Sequence, residues 1–250
     1  MWHIFGSQES EPTYQNITFS PVEGNKVVVG EGSRTVRIVC VSDTHSQAKG
    51  LSIPEADVFV FAGDTINHRH GEPEFMAFCS WIQRVPCKEK FLVAGNHDFY
   101  LRDNKERLGE LMPGVTVLED SSAPVGETGL TIYGAPWTVG RNLFYIADAY
   151  EASESVVHKK WQQIPTGIDI LVTHSPPWDV FDLTYKSKHI GSKYLRSEIS
   201  TRIHPKIHIF GHNHDQSGMM IGTYENGDQT LFVNASVRYT RQPLLVEYKY

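Results

Sequence analysis

The chain has 250 residues, of which 40% are hydrophobic and 21% are charged, a composition typical of a soluble globular protein with one or two domains. No apolar stretch approaches the roughly 18 residues that a membrane span needs, and the apolar run at the start is too short for a secretory signal. We therefore expect a cytoplasmic protein without a membrane partner. The formal charge of -6 excludes the basic field that binds long nucleic acids.

Histidine is unusually abundant, with 12 residues against 23 lysines and arginines together. Imidazole ligates metals and transfers protons near neutral pH. Cysteine is sparse, and Cys40, Cys79 and Cys87 form no C-x-x-C pair, as expected for reduced thiols. The composition therefore favours histidine chemistry over disulfides or a cysteine-bound structural zinc.

The first part of the chain differs from the rest. Residues 1–34 are polar with short apolar clusters, which predicts an N-terminal leader that is partly ordered at most, with an edge hairpin closed near Gly24 and Asn25. Residues 35–250 contain no repeat, low-complexity tract or linker, so we expect a single domain there.

Short apolar runs and amphipathic segments alternate through this domain. The predicted strands lie at 35–41, 57–61, 91–94, 115–118, 130–133, 168–173, 207–210, 231–234 and 244–248, and the predicted helices at 75–82, 156–164 and 192–203. Most strands are apolar throughout, as strands covered on both faces are. The order of elements indicates an α/β fold with helices layered against sheet.

Five predicted strands run directly into side chains that can bind a metal ion. The segments are Asp43-Thr44-His45, Gly63-Asp64, Gly95-Asn96-His97-Asp98, Thr173-His174 and Gly211-His212-Asn213-His214. Ligands bind beyond the carboxyl ends of strands in open α/β sheets, so we expect these loops to converge. An isolated Asp at a strand end is more often a turn former or helix cap, but five such loops in chain order are not explained by capping.

These five motifs, in this order, resemble those of the calcineurin-like metallophosphoesterases. Within that superfamily, the segments 133–137, 167–177 and 205–212 resemble the branch of metallophosphoesterase-domain-containing proteins related to the brain 239AB protein. The resemblance implies two mixed β-sheets packed face to face and flanked by helices. It also implies cyclic-nucleotide phosphodiesterase activity and purine mononucleotide binding.

The resemblance further implies a centre of two divalent metal ions. One ion would be held by Asp43, His45 and His214, and the other by Asn96, His174 and His212, with Asp64 bridging them. Imidazole and carboxylate ligands suit Mn, Fe or Zn, whereas an all-oxygen set would indicate Mg or Ca. The expected reaction is in-line attack by a metal-bound hydroxide, without a covalent enzyme intermediate.

Two further residues are assigned catalytic roles. His97 follows the ligand Asn96, so we expect its imidazole to face the substrate, where it stabilises the transition state or protonates the leaving oxygen. Asp98 is expected to orient that imidazole and raise its pKa. A loop histidine bonded to backbone is the alternative for His97.

Contacts to the substrate are assigned to Asn67, Trp137, Trp178 and His189. The two indole rings can stack on a purine face, although packing of the rim is an alternative for them. Asn67 follows Asp64 closely, and His189 is a candidate phosphate contact. His208 alternates with apolar residues on a strand and is interpreted as a hydrogen-bonded structural histidine.

The leading hypothesis is a dinuclear-metal phosphodiesterase whose partner is a nucleotide or another small phosphate ester. The first alternative is a phosphomonoesterase or a protein Ser/Thr phosphatase. The second is a nucleotide-binding protein with little turnover. The sequence does not fix the oligomeric state.

Overall fold

A computed structural model describes residues 12–67, 71–140 and 148–250. The strands are β1 Ile17–Val22, β2 Lys26–Gly30, β3 Thr35–Val41, β4 Ala56–Ala62, β5 Cys87–Val93, β6 Val115–Val117, β7 Ser121–Val125, β8 Leu130–Ala135, β9 Thr138–Val139, β10 Glu151–Ala152, β11 Ile170–Thr173, β12 Ile207–Phe210, β13 Gly218–Tyr224, β14 Gln229–Asn234 and β15 Leu244–Lys249. The α-helices are α1 Glu72–Gln83, α2 Phe99–Asp103, α3 Leu108–Leu111, α4 Glu154–Gln162 and α5 Lys193–Glu198. Within the described residues, no helix is both long and apolar enough to cross a membrane.

The strands form two large mixed sheets and one short ribbon. The six-stranded sheet has the order β2-β15-β3-β4-β5-β6, and its pairs are parallel except β15 with β3. The seven-stranded sheet has the order β1-β13-β14-β12-β11-β8-β7, with parallel pairing from β14 to β8 and antiparallel pairing outside. Strands β9 and β10 pair in parallel with each other.

The main core lies between the two large sheets. Because successive side chains of a strand point to opposite faces, Ile38 and Val60 of one sheet face this core together with Ile170 and Ile209 of the other. The alternate residues face outward and are covered as well. Phe59 and Phe61 pack under α1, and Leu171 and Phe210 pack under α4 and α5. The predicted sandwich of two mixed sheets between helices is confirmed.

The predicted hairpin in the leader is wrong. Strand β1 pairs antiparallel with β13 at the edge of the seven-stranded sheet, whereas β2 pairs in parallel with β15 at the edge of the other sheet. The turn around Gly24 therefore carries the chain from one sheet to the other. Each strand bonds to an existing sheet edge, where a row of main-chain groups is available. Residues 1–11 of the leader lie outside the described residues, and the division at residue 34 stays a prediction.

Candidate metal centre

The five strand-end loops of the sequence meet at one end of the sandwich. Strands β3, β4 and β5 of the six-stranded sheet lead to Asp43, Asp64 and Asn96, and strands β11 and β12 of the other sheet lead to His174 and His212. Main-chain hydrogen bonds join neighbouring loops, from Asp43 N–H to Gly63 O at 2.9 Å and from His45 N–H to Asp64 O at 3.1 Å. The topology, not local sequence, brings these residues together.

Four of the convergent residues have left-handed backbone. The φ angles are 58° at Asp43, 42° at His45, 61° at Asp64 and 66° at His212. Such conformations in residues other than glycine cost about 1–3 kcal/mol each and persist where the surroundings fix them. They occur here at the turns that direct the Asp and His side chains toward one another, which supports a functional site.

The first group of donors consists of Asp43, His45, Asp64 and His214, whose ligand atoms all lie within 4.8 Å of one another. His45 Nε2 is 3.0 Å from His214 Nε2 and 3.5 Å from Asp64 Oδ2. His214 Nε2 is 3.3 Å from Asp43 Oδ1. Two imidazoles and two carboxylates converging in this way form a donor set that suits a divalent ion.

The second group consists of Asn96, His174 and His212. Asn96 Oδ1 lies 3.1 Å from His174 Nε2 and 3.1 Å from His212 Nδ1. His174 Nε2 is also 3.4 Å from Asp64 Oδ2, the oxygen that faces His45 in the first group. A single carboxylate oxygen thus lies against both groups of donors.

Hydrogen bonds fix how His174 and Asp43 present their donor atoms. His174 Nδ1 donates to the main-chain carbonyl of Ala62 at 2.8 Å, which directs Nε2 toward the centre. Asp43 accepts hydrogen bonds from the Ser42 hydroxyl at 2.6 Å and from His212 N–H at 3.1 Å. Metal ligands in proteins are oriented by such outer contacts.

The charges of the centre are consistent with metal ligation. Burial disfavours the charged form of Asp64, but His174, His97 and His45 outweigh it and hold the pKa of the carboxyl well below its usual range. Burial also opposes protonation of His174, yet Asp64 raises the pKa of that ring to about 9. Burial lowers the pKa of His45 to about 4. The anionic carboxylate and convergent rings fit a divalent cation.

The ring of His97 lies between the donor groups and a cavity. Its Nε2 is 3.9 Å from Asp64 Oδ2, and the ring stands edge-to-face against His45 at 4.9 Å between centroids. The His97 main-chain N–H donates to Asp64 Oδ1 at 2.9 Å, which fixes the Asp64 carboxylate from behind. The His97 side chain is 29% exposed, so its ring can reach a molecule in the cavity.

Asp98 differs from its expected position beside the His97 ring. Its Oδ2 accepts hydrogen bonds from the main-chain N–H of Asp64 at 2.9 Å and of Gly95 at 2.7 Å, and its Oδ1 accepts from the N–H and the hydroxyl of Thr65. The carboxylate is buried and its acceptor sites are directed at the loops after β4 and β5. Asp98 thus fixes these two loops, and the structure gives its carboxylate no place at the imidazole.

A cavity of about 360 Å³ opens over the centre. Its described lining residues are Asp64, Asn96, His97, Thr138, Val139, Asp148, Glu151, Thr184, Tyr185, Ile190, His212, Asn213, His214, Asp215 and Tyr239. Thr138, Asp148, Tyr185 and Tyr239 were not identified from the sequence, because they lie outside the strand-end motifs. Thr138 directly follows the predicted Trp137, so the Gly-Ala-Pro-Trp segment was the one signal for it.

The predicted substrate contact Trp137 does not line this cavity. Its indole N–H donates to Asp120 at 2.8 Å, and the Lys160 ammonium lies 4.3 Å from the centre of the ring. The residue is part of the packing beside β9. Because the chain alternates sides here, the neighbouring Thr138 is the residue that reaches the cavity wall.

The other three predicted contacts also lie outside the described lining. Trp178 stacks on His189 with 4.3 Å between ring centroids, and His189 Nδ1 is 2.9 Å from Asp182 Oδ1. Asn67 is half-buried, and its main-chain N–H donates to the Ser46 hydroxyl at 3.1 Å. These contacts place the three residues in the surrounding loops, and a role of any of them toward substrate stays a prediction.

His208 is the structural histidine that the strand pattern predicts. The ring is fully buried on β12, and its Nε2 lies 2.9 Å from the Thr173 hydroxyl. That hydroxyl donates its one proton to Ser175 O at 2.7 Å, so His208 Nε2 is the donor of the pair. The interpretation is confirmed.

Comparisons with known proteins agree with this geometry. Residues 36–216 match the family model described as calcineurin-like phosphoesterase. The human metallophosphoesterase domain-containing protein 1 is 34% identical over 227 residues, covering 80% of this chain. The chain spans just under two thirds of that relative, 66% of its length. A Caenorhabditis elegans relative, UPF0046 protein K07C11.7, is 30% identical over 265 residues, covering 94% of this chain and 86% of the relative.

The fold also resembles a solved structure. The crystal structure of the Thermus thermophilus protein TT1561 superposes with a TM-score of 0.57 at 14% sequence identity. The similarity covers 85% of this chain and 98% of that protein. At this identity the comparison establishes the shared fold alone.

Proposed function

Because the chain belongs to the calcineurin-like phosphoesterase family, we propose that it is a phosphodiesterase that uses two divalent metal ions to hydrolyse nucleotides or similar small phosphodiesters. The observation that carries the proposal is the position of Asp64. Its Oδ2 lies 3.5 Å from His45 Nε2 and 3.4 Å from His174 Nε2, so one oxygen serves two groups of donors. A shared carboxylate between two histidine-rich groups is the arrangement that a dinuclear centre needs.

The donors divide between two ions around Asp64. Asp43, His45 and His214 would hold one, and Asn96, His174 and His212 the other. When bound, such a pair supplies Lewis-acid stabilisation of the phosphoryl oxygens and lowers the pKa of water. Asn96 is neutral, so Asp43 and Asp64 are the two carboxylates among these ligands. Their charge does not cancel that of two divalent ions, and the loaded centre therefore attracts a phosphate anion.

His97 supplies the proton for the leaving oxygen. Its ring lies at the boundary between the donors and the cavity, with Nε2 3.9 Å from Asp64 Oδ2. Protonation of the leaving alkoxide by a positioned imidazole typically contributes 10²- to 10⁴-fold to the rate. The His97 main-chain N–H donates to the Asp64 carboxylate. This bond keeps the His97 ring at a fixed distance from the ligands.

The charge of the described cavity lining supports a diester, in preference to a monoester, as the substrate. Among its described lining residues there is no lysine or arginine, whereas Asp148, Glu151 and Asp215 are acidic. A phosphodiester carries one negative charge, but a monoester carries close to two at pH 7 because its second pKa is about 6. The volume of about 360 Å³ falls within the range of small-molecule sites, roughly 300–1,000 Å³.

The proposal is tested by turnover of bis(p-nitrophenyl) phosphate and p-nitrophenyl phosphate, together with metal analysis. We expect the diester to be the better substrate and Asp64→Ala to abolish its turnover. Asp57→Ala is the matched control, because Asp57 lies at the opposite end of β4, where it contacts Lys88 at 3.2 Å. This variant should keep full turnover.

The same experiment separates the alternatives. A preference for the monoester would overturn the diesterase assignment in favour of a phosphomonoesterase or protein Ser/Thr phosphatase. Metal-loaded protein that turns over neither ester but binds a purine mononucleotide would indicate a nucleotide-binding protein.

A further inference from the structure

Asp148 contacts the amide of the ligand Asn96 on the side away from the histidines. Asn96 Nδ2 donates to Asp148 Oδ2 at 3.0 Å, while Asn96 Oδ1 faces His174 and His212. The main chain makes a second link, from Ala149 N–H to Asn96 O at 2.9 Å. Asp148 and Asn96 are 52 residues apart in sequence, so this contact depends on the fold.

The segment that carries Asp148 is fixed independently of Asn96. The Asp148 N–H donates to Glu151 Oε2 at 2.8 Å, and Thr138 N–H donates to Tyr150 O at 3.0 Å, which attaches the segment to β9. The Tyr150 hydroxyl donates to Glu119 at 2.8 Å. The main chain at Asp148 is therefore anchored by contacts other than the one to Asn96.

The orientation of the Asn96 amide decides whether this residue is a ligand. The carbonyl oxygen of an amide has lone pairs for a cation, whereas its NH₂ group is a donor only. A rotation of 180° would turn the NH₂ group toward His174 Nε2 and His212 Nδ1, where it offers no lone pair to a cation held between these rings. An ionised carboxylate can only accept, so Asp148 selects the orientation in which oxygen faces the centre.

We propose that Asp148 is a positioning residue that holds the Asn96 amide with its oxygen toward the second metal ion. The inference rests on the proposed function, because it requires a cation between Asn96, His174 and His212. Outer contacts of this kind typically change metal affinity by 10- to 100-fold.

The first test is titration of the metal-free protein with Mn²⁺, in which calorimetry and electron paramagnetic resonance measure the binding. Asp148→Ala should weaken the second binding step by about 10- to 100-fold and reduce the signal of coupled Mn²⁺ pairs at equal loading. Asp148→Asn should stay within about threefold of wild type, because its amide oxygen still accepts from Asn96 and loses only charge assistance. Equal losses in both variants would overturn the proposal.

Asp215→Ala is the matched control for charge. Asp215 also lines the cavity and follows His214 in the loop after β12, but its carboxylate accepts from the Tyr185 main-chain N–H at 2.9 Å. Removing it deletes one negative charge without altering the contact to Asn96, so the second step should change by less than about threefold. A loss as large as that of Asp148→Ala would show that the effect is not specific to the contact with Asn96, which would overturn the proposal.

A double variant separates positioning from a structural role. In Asn96→Asp, both oxygens of the ligand can bind a cation, so orientation no longer matters, and Asp148 becomes a repulsive neighbour. Adding Asp148→Ala to this variant should leave Mn²⁺ affinity unchanged or increase it. A purely structural Asp148 would cost the same in both backgrounds, which would contradict the proposal. If Asp148→Ala does not fold, Asp148→Ser replaces it in the same comparison.

His174→Ala distinguishes failure of the proposed two-metal centre from failure of the proposed positioning role of Asp148. If this variant keeps both Mn²⁺ binding steps, the two-metal centre itself is wrong. If it loses the second step while Asp148→Ala keeps it unchanged, the centre stands and the positioning role is wrong.

Discussion

The carboxylate of Asp98 accepts a hydrogen bond of 2.7 Å from the main-chain N–H of Gly95. The same carboxylate accepts from Asp64 N–H, and its second oxygen accepts from Thr65. Burial and the neighbouring Asp64 raise the pKa of Asp98 to about 6, although the bonds from Thr65 and Gly95 act in the opposite direction. One buried acceptor thus joins the loop that carries Asp64 to the loop that carries Asn96.

Asp98→Asn should therefore destabilise the fold and weaken metal binding together. The new NH₂ group would face main-chain N–H donors, which leaves buried donors unsatisfied and costs about 2–4 kcal/mol. Urea unfolding of the metal-free protein measures the loss. Asp103→Asn is the control, because this exposed carboxylate pairs with its neighbour Arg102 in α2 and should change stability by less than about 0.5 kcal/mol. Equal stability of both variants would contradict the role of Asp98.

His97→Ala should lower turnover by about 10²-fold or more while metal content stays near that of the wild type. The reason is that the ring faces the cavity, and its main-chain N–H, which the substitution keeps, makes the contact to Asp64. The loss should be larger for an alkyl leaving group than for p-nitrophenolate, because the alkoxide needs the proton more. Loss of metal, or the same loss for both leaving groups, would show that His97 is not the acid.

The strand-end motifs could be predicted because two strong signals coincide there. Apolar runs such as 35–41 and 207–210 mark strands, and ends of parallel strands converge, so the positions of Asp43 and His212 follow from general rules. The contact of Asp148 with Asn96 could not be predicted, since it joins residues 52 apart through a loop without a pattern. Contacts between distant loops are set by the assembled fold.

Which side chain of a short segment faces the cavity could not be predicted from the sequence either. Trp137 and Thr138 are adjacent, yet the hydroxyl residue lines the cavity and the indole packs against Asp120. A one-residue difference reverses the side to which a chain in extended conformation points. The strands β1 and β2 are a similar case, because their local sequence suits a hairpin while the sheet edges of β13 and β15 provide the pairing.

His208 should make the protein sensitive to acid. Burial lowers the pKa of its imidazole to about 3, whereas an unfolded histidine titrates near 6.5. Between these values the unfolded state binds a proton that the folded state does not, so stability falls as the pH falls from about 6.5 toward 3, by about 1.4 kcal/mol per pH unit.

The variant His208→Gln lacks this titration but keeps a donor for Thr173. It should be less stable than the wild type at pH 7.5, and the difference should shrink at pH 5.5 and further at pH 4.5. Urea unfolding of metal-free protein at the three pH values provides the comparison. Parallel stability curves for the two proteins would show that folding does not lower the pKa of His208.

Gly95 is required because the centre is too tight for a side chain at this position. A Cβ atom there would collide with Asp64 Oδ1 and lie 2.8 Å from His174 Cε1, so Gly95→Ala must displace ligands of both donor groups. Such overpacking typically costs about 1–3 kcal/mol, and displaced donors weaken metal binding as well. Gly109→Ala in α3 is the control, since its Cβ meets open space and alanine favours helical backbone over glycine. Urea unfolding should therefore show lower stability for Gly95→Ala and higher stability for Gly109→Ala. Mn²⁺ titration should show weaker binding in Gly95→Ala alone. Unchanged Mn²⁺ binding in Gly95→Ala would contradict the close packing of Asp64 against this loop.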